Sequence, residues 1–380
     1  MPEGTGPAPR ARPGVHRVAL LTPGRGPSGM FGLACRAAAE LAAREVTDRG
    51  GVRGRALEFA HVDAGAPPRT VAAQVRALLD AGSVEGVTGW HLSSVREAVA
   101  PVVAGRVPYV YATAYEGGDG RAGLVCTGEL PEQQVVAALA WLHRELGMSS
   151  WAVVGDDYVW PRRTAARVAA TLRGHGVRLR GRHWVPLGCA DEQVWRRVVT
   201  AVGREDVDGV VMLLVGADGV RFNREFAGAG LDARFARFSP FMDETMLLAS
   251  GPGATRGLYA AAGWFADLAS GSAMEFSRGF TTTFDAVAAD PSATGPGAPP
   301  PGTMAETTYS AVHLLADLGR RSADPRAAAA EALRVRHDGW METPHGAVRL
   351  RSGRADHPVH LAVADGTGFD VLARVSGRRA

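Results

Sequence analysis

The chain has 380 residues, more than the roughly 250–300 at which one hydrophobic core usually divides, so two lobes of ordinary size are expected. Its 42 basic residues nearly balance 39 acidic ones, which leaves no basic stripe for nucleic acid; every fixed cation is an arginine, which excludes Schiff-base chemistry on lysine. Cys35, Cys126 and Cys189 are widely spaced and odd in number, a pattern that fits neither a disulfide framework nor a CxxC metal site.

Residues 1–15 are rich in Pro, Gly, Ala and Arg, and Val18-Ala19-Leu20-Leu21 is too short for the apolar segment of a leader. A disordered tail and a cytoplasmic location are therefore expected. No apolar run approaches the roughly 20 residues that cross a bilayer. A strand over 17–22 runs into Gly24-Arg25-Gly26-Pro27-Ser28-Gly29, followed by a helix over 31–49. The loop has the letters of GxGxxG, but Pro27 removes an N–H that a phosphate needs, Arg25 crowds the turn, and Asp63 comes late for a ribose contact, so a dinucleotide site is not expected. A strand over 57–62, a helix over 68–81 and a strand over 84–89 follow, the last ending in Trp90-His91-Leu92-Ser93-Ser94. A helix over 96–104 leads to the strand from Pro108, which delivers Tyr111-Ala112-Thr113-Ala114-Tyr115-Glu116-Gly117.

The alternation then repeats. A helix over 131–146 precedes Trp151-Ala152-Val153-Val154, a short apolar run of the kind found where both faces of a parallel strand are covered. Behind it, Gly155-Asp156-Asp157-Tyr158-Val159-Trp160-Pro161-Arg162 forms a loop that opens a helix at Pro161. Open α/β sheets bind ligands at such strand ends, which makes this loop a candidate pocket wall. Asp156 and Asp157 are expected to cap that helix or to pair with an arginine. Further strands are expected over 180–185, 207–215 and 235–241. Leu258 to Trp264 is expected to re-enter the first lobe, with helices over 274–289 and 304–321 separated by a flexible Pro/Gly segment over 292–302. Strands over 345–350 and 358–364 are expected to finish the second lobe. The resulting division assigns 16–127 and 257–342 to lobe 1, and 128–256 and 343–380 to lobe 2, with crossings near 126–128, 256–262 and 343–346.

No serine lies in a GxSxG elbow, and His357 and His360, three apart in a strand, point to opposite faces and are expected at the surface. No enzyme activity, cofactor or metal is expected. What recurs is hydroxyls and aromatics at strand ends: Ser93, Tyr111, Thr113, Tyr158 and Trp160. That chemistry suits a small neutral polar ligand held by hydroxyls and ring faces, with two lobes closing about a hinge.

Four segments resemble the type I periplasmic-binding-protein superfamily: Gly50-Gly51-Val52-Arg53-Gly54-Arg55, Ser93 to Val99, Tyr111-x-Thr113-x-Tyr115-Glu116-Gly117, and Gly155 to Arg162. Within it, they are similar to the branch of the cytoplasmic amide sensor of the aliphatic amidase operon and of the urea- and amide-binding proteins of ABC transporters. The resemblance implies a two-lobed α/β fold, each lobe a mostly parallel sheet flanked by helices, joined by three hinge crossings. It also implies that Ser93, Tyr111, Thr113 and Tyr158 contact an amide-like ligand and that Trp160 stands where the family has a second aromatic. The function it suggests is a ligand sensor or regulator; the alternative is the substrate-binding component of an ABC transporter for amides, urea or branched-chain amino acids. Expected partners are the small polar ligand, a regulatory protein and a second copy of the chain, with no direct nucleic-acid contact and no membrane insertion. His91 and Ala114 depart from the sensor's tyrosine and proline. Both enlarge the pocket, and an imidazole with an ordinary pKa near 6.5 makes affinity sensitive to mild acid.

Overall fold

The computed structural model describes residues 14–118, 123–288, 298–334, 340–351 and 353–377. Most of the expected N-terminal tail, and the part of the expected Pro/Gly segment up to residue 297, lie outside the described residues. The chain opens with β1 (Val15–Thr22), α1 (Gly32–Asp48), β2 (Ala56–Asp63), α2 (Pro68–Asp80), β3 (Gly86–Gly89), α3 (Ser93–Val103), β4 (Tyr109–Tyr111) and β5 (Leu124–Cys126). A second run comprises α4 (Ala137–Leu146), β6 (Ser150–Asp156), α5 (Val159–Leu172), β7 (Arg178–Val185), α6 (Glu192–Val202), β8 (Gly209–Leu213), α7 (Ala217–Gly228), β9 (Ala236–Ser239), α8 (Glu244–Ser250) and β10 (Leu258–Ala262). Helices α9 (Gly271–Ala288), α10 (Thr303–Arg321) and α11 (Pro325–Arg334) follow. The chain ends in β11 (Trp340–Thr343), β12 (Gly346–Arg351), β13 (Arg354–Asp356), β14 (Val359–Asp365) and β15 (Gly368–Ser376).

These strands form two mixed sheets flanked by helices, one in the order β11-β12-β13-β5-β4-β3-β1-β2 and the other β15-β14-β10-β9-β8-β6-β7. The pairs from β2 through β1, β3 and β4 to β5 are parallel, so their carboxyl ends project loops to one side of the first sheet. Strands β7, β6, β8, β9 and β10 do the same in the second. Trp151 to Val154 of β6 are fully buried, as a strand covered on both faces requires. Gly89 closes β3 at φ +130°, where a Cβ would strike the backbone of Leu21, so only glycine lets β3 end against β1 and turn Trp90 toward the second lobe.

Two placements correct the expectations. Leu258–Ala262 stays in the second sheet, parallel to β9 and antiparallel to β14, rather than re-entering the first. Consecutive strands usually lie side by side, and an apolar run cannot announce which sheet it joins. The hairpin of β11 and β12 extends the first sheet instead of finishing the second, attached through β13, whose Arg354 pairs with Cys126. The chain therefore passes between sheets after β5, after β10 and between β13 and β14, not at 256–262 or 343–346.

Candidate functional site

Helix α3 starts at Ser93, three residues earlier than its apolar periodicity suggests, so the Ser93 hydroxyl sits at a helix N-terminus beside the end of β4. It donates to Glu116 Oε2 at 2.8 Å and lies 3.3 Å from the Tyr111 hydroxyl. One turn on, Arg96 grips the same carboxylate with both nitrogens, at 3.1 Å to Oε2 and 2.6 Å to Oε1, and its guanidinium stacks 4.7 Å from the Tyr115 ring centroid. Arg96 and Glu116 are both buried. Burial opposes both charges, but the bidentate contact prevails: Arg96 is shifted up and Glu116 down. Burial also pushes the Tyr111 phenol up, with the Glu116 charge adding to it. Sequence reasoning missed Arg96 and Glu116 as a pair, although Glu116 stood inside the motif that suggested the family.

The other expected residues sit behind this wall. The Thr113 hydroxyl donates to the His91 carbonyl at 2.8 Å and accepts from the His91 N–H at 3.1 Å. His91 is fully buried: its Nδ1 lies 3.2 Å from the Leu92 carbonyl and its Nε2 2.8 Å from the Tyr109 hydroxyl. Burial drives its pKa down to about 3. The expectation that His91 titrates near neutral pH is therefore corrected. Ala114 is buried in the core shared by both lobes.

Trp160 belongs to an aromatic seam that closes the inner end of the cleft. Its ring meets Phe241 at 4.4 Å, Phe241 meets Trp90 at 6.1 Å, and Trp90 meets Phe31 at 4.9 Å, each edge to face. The space left between Trp90, Ala112, Ala114, Phe241 and Met304 is about 10 Å³, room for one water. A separate solvent-open groove of about 780 Å³ between α3 and α5 is lined by Arg96, Glu97, Tyr115, Glu116, Arg163 and Arg167, within the usual size range of ligand sites. Arg163 of α5 reaches across from the second lobe to Glu97 at 2.6 Å and Glu116 at 3.6 Å. A second tie between lobes runs through the glycine loop, where the Pro27 carbonyl accepts from the Ala217 N–H at 2.9 Å. Asp63 holds that loop by accepting from the Gly24 N–H at 2.8 Å and pairing with Arg25, so the backbone donor a phosphate would need is already engaged.

Tyr158 is the residue preceding α5 and caps it with no side-chain bond. Its phenol is shifted well up by burial, with the charges of Asp156 and Glu116 contributing. Neither adjacent aspartate caps the helix. Asp157 is exposed and pairs with Arg162 at 2.8 Å, whereas Asp156 turns inward, accepts from the Val215 N–H at 2.9 Å, and meets the carboxyl of Asp218. Burial, with the Asp218 carboxylate adding to it, raises Asp156 well above the usual carboxylate range. The surface expectation for His357 is also corrected: it is buried against His345 with ring centroids 4.8 Å apart, while His360 is half-buried. The three cysteines are free and buried, the Cys35 and Cys126 thiols pushed up to about 12 by burial. No cluster of metal ligands occurs among the described residues.

Comparison with known families finds a match to the periplasmic binding protein model over residues 16–368. The chain belongs to the periplasmic binding protein family. Among solved structures it is similar to a periplasmic binding protein of Burkholderia mallei, with a TM-score of 0.80 and 15% identity over 96% of this chain and 95% of that one. A solute-binding protein of an ABC transporter from R. palustris, in complex with benzoate, gives 0.79 and 18% over 97% and 98%. The branched-chain amino acid transporter substrate-binding protein of Streptococcus pneumoniae, in complex with isoleucine, gives 0.75 and 16% over 94% and 99%. At such identities the likeness concerns the fold: this periplasmic binding protein has the two-lobed type I architecture of its relatives. No helix among the described residues is long and apolar enough to cross a membrane.

Proposed function

We propose that this periplasmic binding protein is a non-enzymatic solute-binding protein of the kind that serves ABC transporters, closing its lobes on a small, neutral, polar solute of the amide or urea type. The observation that carries the reading is the group formed by Ser93, Arg96, Tyr111 and Glu116 at the cleft wall. Its one cation and one anion are spent on each other, and the charges around the opening are paired as well, Arg163 with Glu97 and Arg167 with Glu132, so none of these is left free for a charged solute. The transport part rests on relatives described as transporter binding proteins. Benzoate and isoleucine both carry a carboxylate, which here would meet the Glu116 charge already seated on Arg96 and Ser93.

The test is a thermal-shift panel of acetamide, butyramide, urea, leucine, isoleucine and benzoate, followed by calorimetry. A solute that binds only the folded state at 100 times its Kd adds about 2.7 kcal/mol of stability. Neutral amides or urea are expected to raise the melting temperature with no ammonia released. Stabilisation by leucine, isoleucine or benzoate alone would overturn the neutral-solute reading, and ammonia release lost in a single cleft substitution would overturn the non-enzymatic one.

A further inference from the structure

The three segments that join the lobes meet at one buried point, and each brings a group to it. From the first crossing, Glu129 Oε1 accepts from the N–H of Gly263 at 2.8 Å, and Gly263 belongs to the second crossing. His357, in the third, packs so closely on Gly263 that a Cβ there would lie 2.9 Å from its Cε1 and 3.3 Å from Glu129 Oε1. Behind it the His345 ring, from the turn between β11 and β12, approaches His357, and its Nδ1 lies 2.8 Å from Glu306 Oε2 on α10. The Ser310 hydroxyl donates to the other Glu306 oxygen at 2.6 Å. Glu306 is 0% exposed, His357 2% and Glu129 5%.

Hydrogen bonding in this cluster is incomplete. His357 Nδ1 is engaged by the Pro358 carbonyl at 3.0 Å, but its Nε2, both nitrogens of His345 and Glu306 Oε2 make no aligned hydrogen bond. Buried polar atoms left this way cost free energy that a small movement or an added proton can recover.

We propose that this histidine–carboxylate cluster is a pH-responsive hinge, in which a proton on His345 with a neutral His357 holds the closed arrangement and any other protonation state favours opening. With His345 charged, two carboxylates face one imidazolium. Losing that proton leaves Glu306 and Glu129 with no cation beside them in a buried site. Adding one to His357 sets two imidazoliums side by side. Opening displaces the crossings relative to one another and relieves either state by admitting water. The directions of titration agree: Glu306 and Glu129 raise His345 against the effect of burial, and burial with the His345 charge lowers His357. Beside the pair stands His360 of β14, itself lowered to about 4 by burial, with the charges of Arg374, His345 and His357 adding to it.

Closure is accordingly lost at both ends. The upper limb belongs to His345, whose contribution is present at low pH and disappears as pH rises through its raised pKa. The lower limb belongs to His357, whose contribution disappears as pH falls through its lowered one. One coupled proton changes the open-to-closed ratio by up to about tenfold per pH unit.

The experiment uses the full chain without solute, so its outcome stands apart from whichever ligand the cleft takes. A fluorescence-transfer pair on introduced cysteines, Arg69→Cys on α2 and Arg197→Cys on α6, both exposed sites, reports the distance between lobes from pH 4.5 to 9. The expected result is a maximum of closure at intermediate pH, with the upper limb lost in His345→Gln and the lower limb lost in His357→Gln. Should either variant fail to fold, histidine NMR titration of the unsubstituted chain decides: the midpoints of His345 and His357 must coincide with those of the two limbs. A flat distance profile, or midpoints that differ from the NMR titrations, would overturn the proposal.

Discussion

His91 sits beside the candidate wall yet has both ring nitrogens engaged, Nδ1 by the Leu92 carbonyl and Nε2 by the Tyr109 hydroxyl. This arrangement suits the neutral ring, with Nδ1 donating and Nε2 accepting, and burial lowers the pKa to about 3. The folded-state pKa lies below the unfolded value near 6.5, so the unfolded chain takes up a proton first as pH falls. The stability that His91 contributes is therefore fully present above about pH 6.5 and declines below it. His345 is shifted the opposite way, so the contribution of His91 is read as a difference between variants. His91→Gln is expected to lose less melting temperature than the unsubstituted chain between pH 7 and 5, while solute affinity between pH 5.5 and 7.5 shows no change attributable to His91. Differential scanning calorimetry and titration calorimetry at matched pH check both; equal slopes in the two proteins would place the acid sensitivity elsewhere.

At the scale of elements, the site depends on how β3 and β4 end. The Thr113 hydroxyl bonds both the N–H and the carbonyl of His91, stitching the exit of one strand to the exit of the other, whereas the Tyr111 hydroxyl meets the Ser93 hydroxyl at 3.3 Å and bonds no backbone group. Thr113→Val strands a buried backbone donor and acceptor, each worth about 1–3 kcal/mol, and is expected to lower the urea-unfolding midpoint. Tyr111→Phe is expected to leave that midpoint nearly unchanged and to weaken solute binding about tenfold or less. Equal loss of stability in both variants would contradict the distinction. Strand-end hydroxyls were legible in the sequence because period and turn residues mark where parallel strands stop. Their partners were not: that Thr113 faces the backbone of His91, or that Arg96 meets Glu116, depends on the lateral register of β3 and β4, which no local pattern encodes. The same limit misplaced β10 and the β11–β12 hairpin, since a buried strand reads alike in either sheet. His357 was misjudged because strand periodicity was applied to a residue that lies in a crossing, where contacts come from three segments remote in sequence.

For the whole molecule, the balance between open and closed lobes rests on few contacts near the mouth, and Arg163 is the most accessible of them. It spans from α5 to Glu97 and Glu116 of the first lobe, and its side chain is 55% exposed, so the pair with Glu97 falls in the class of surface ion pairs worth about 0–1 kcal/mol. That is small against folding but not against a hinge, because about 1 kcal/mol changes a two-state ratio roughly fivefold. Removing the latch costs the closed form its tie without disturbing Arg96, which keeps its own bidentate contact with Glu116. Arg163→Ala is therefore expected to leave the melting temperature within a degree or two. Apparent affinity for whichever solute the panel identifies should fall about two- to fivefold, mostly through faster release, since binding to an open protein must then drive closure unaided. Salt supplies the internal control. Ions at 0.5 M screen an exposed pair, so the unsubstituted protein should lose affinity between 0.05 and 0.5 M sodium chloride while Arg163→Ala responds less. Titration calorimetry at the two salt concentrations, with small-angle scattering to follow the radius of the solute-free protein, reads both effects; identical salt dependence in the two proteins would remove Arg163 from closure and leave it to the other interlobe contacts, among them the Pro27–Ala217 bond and the aromatic seam.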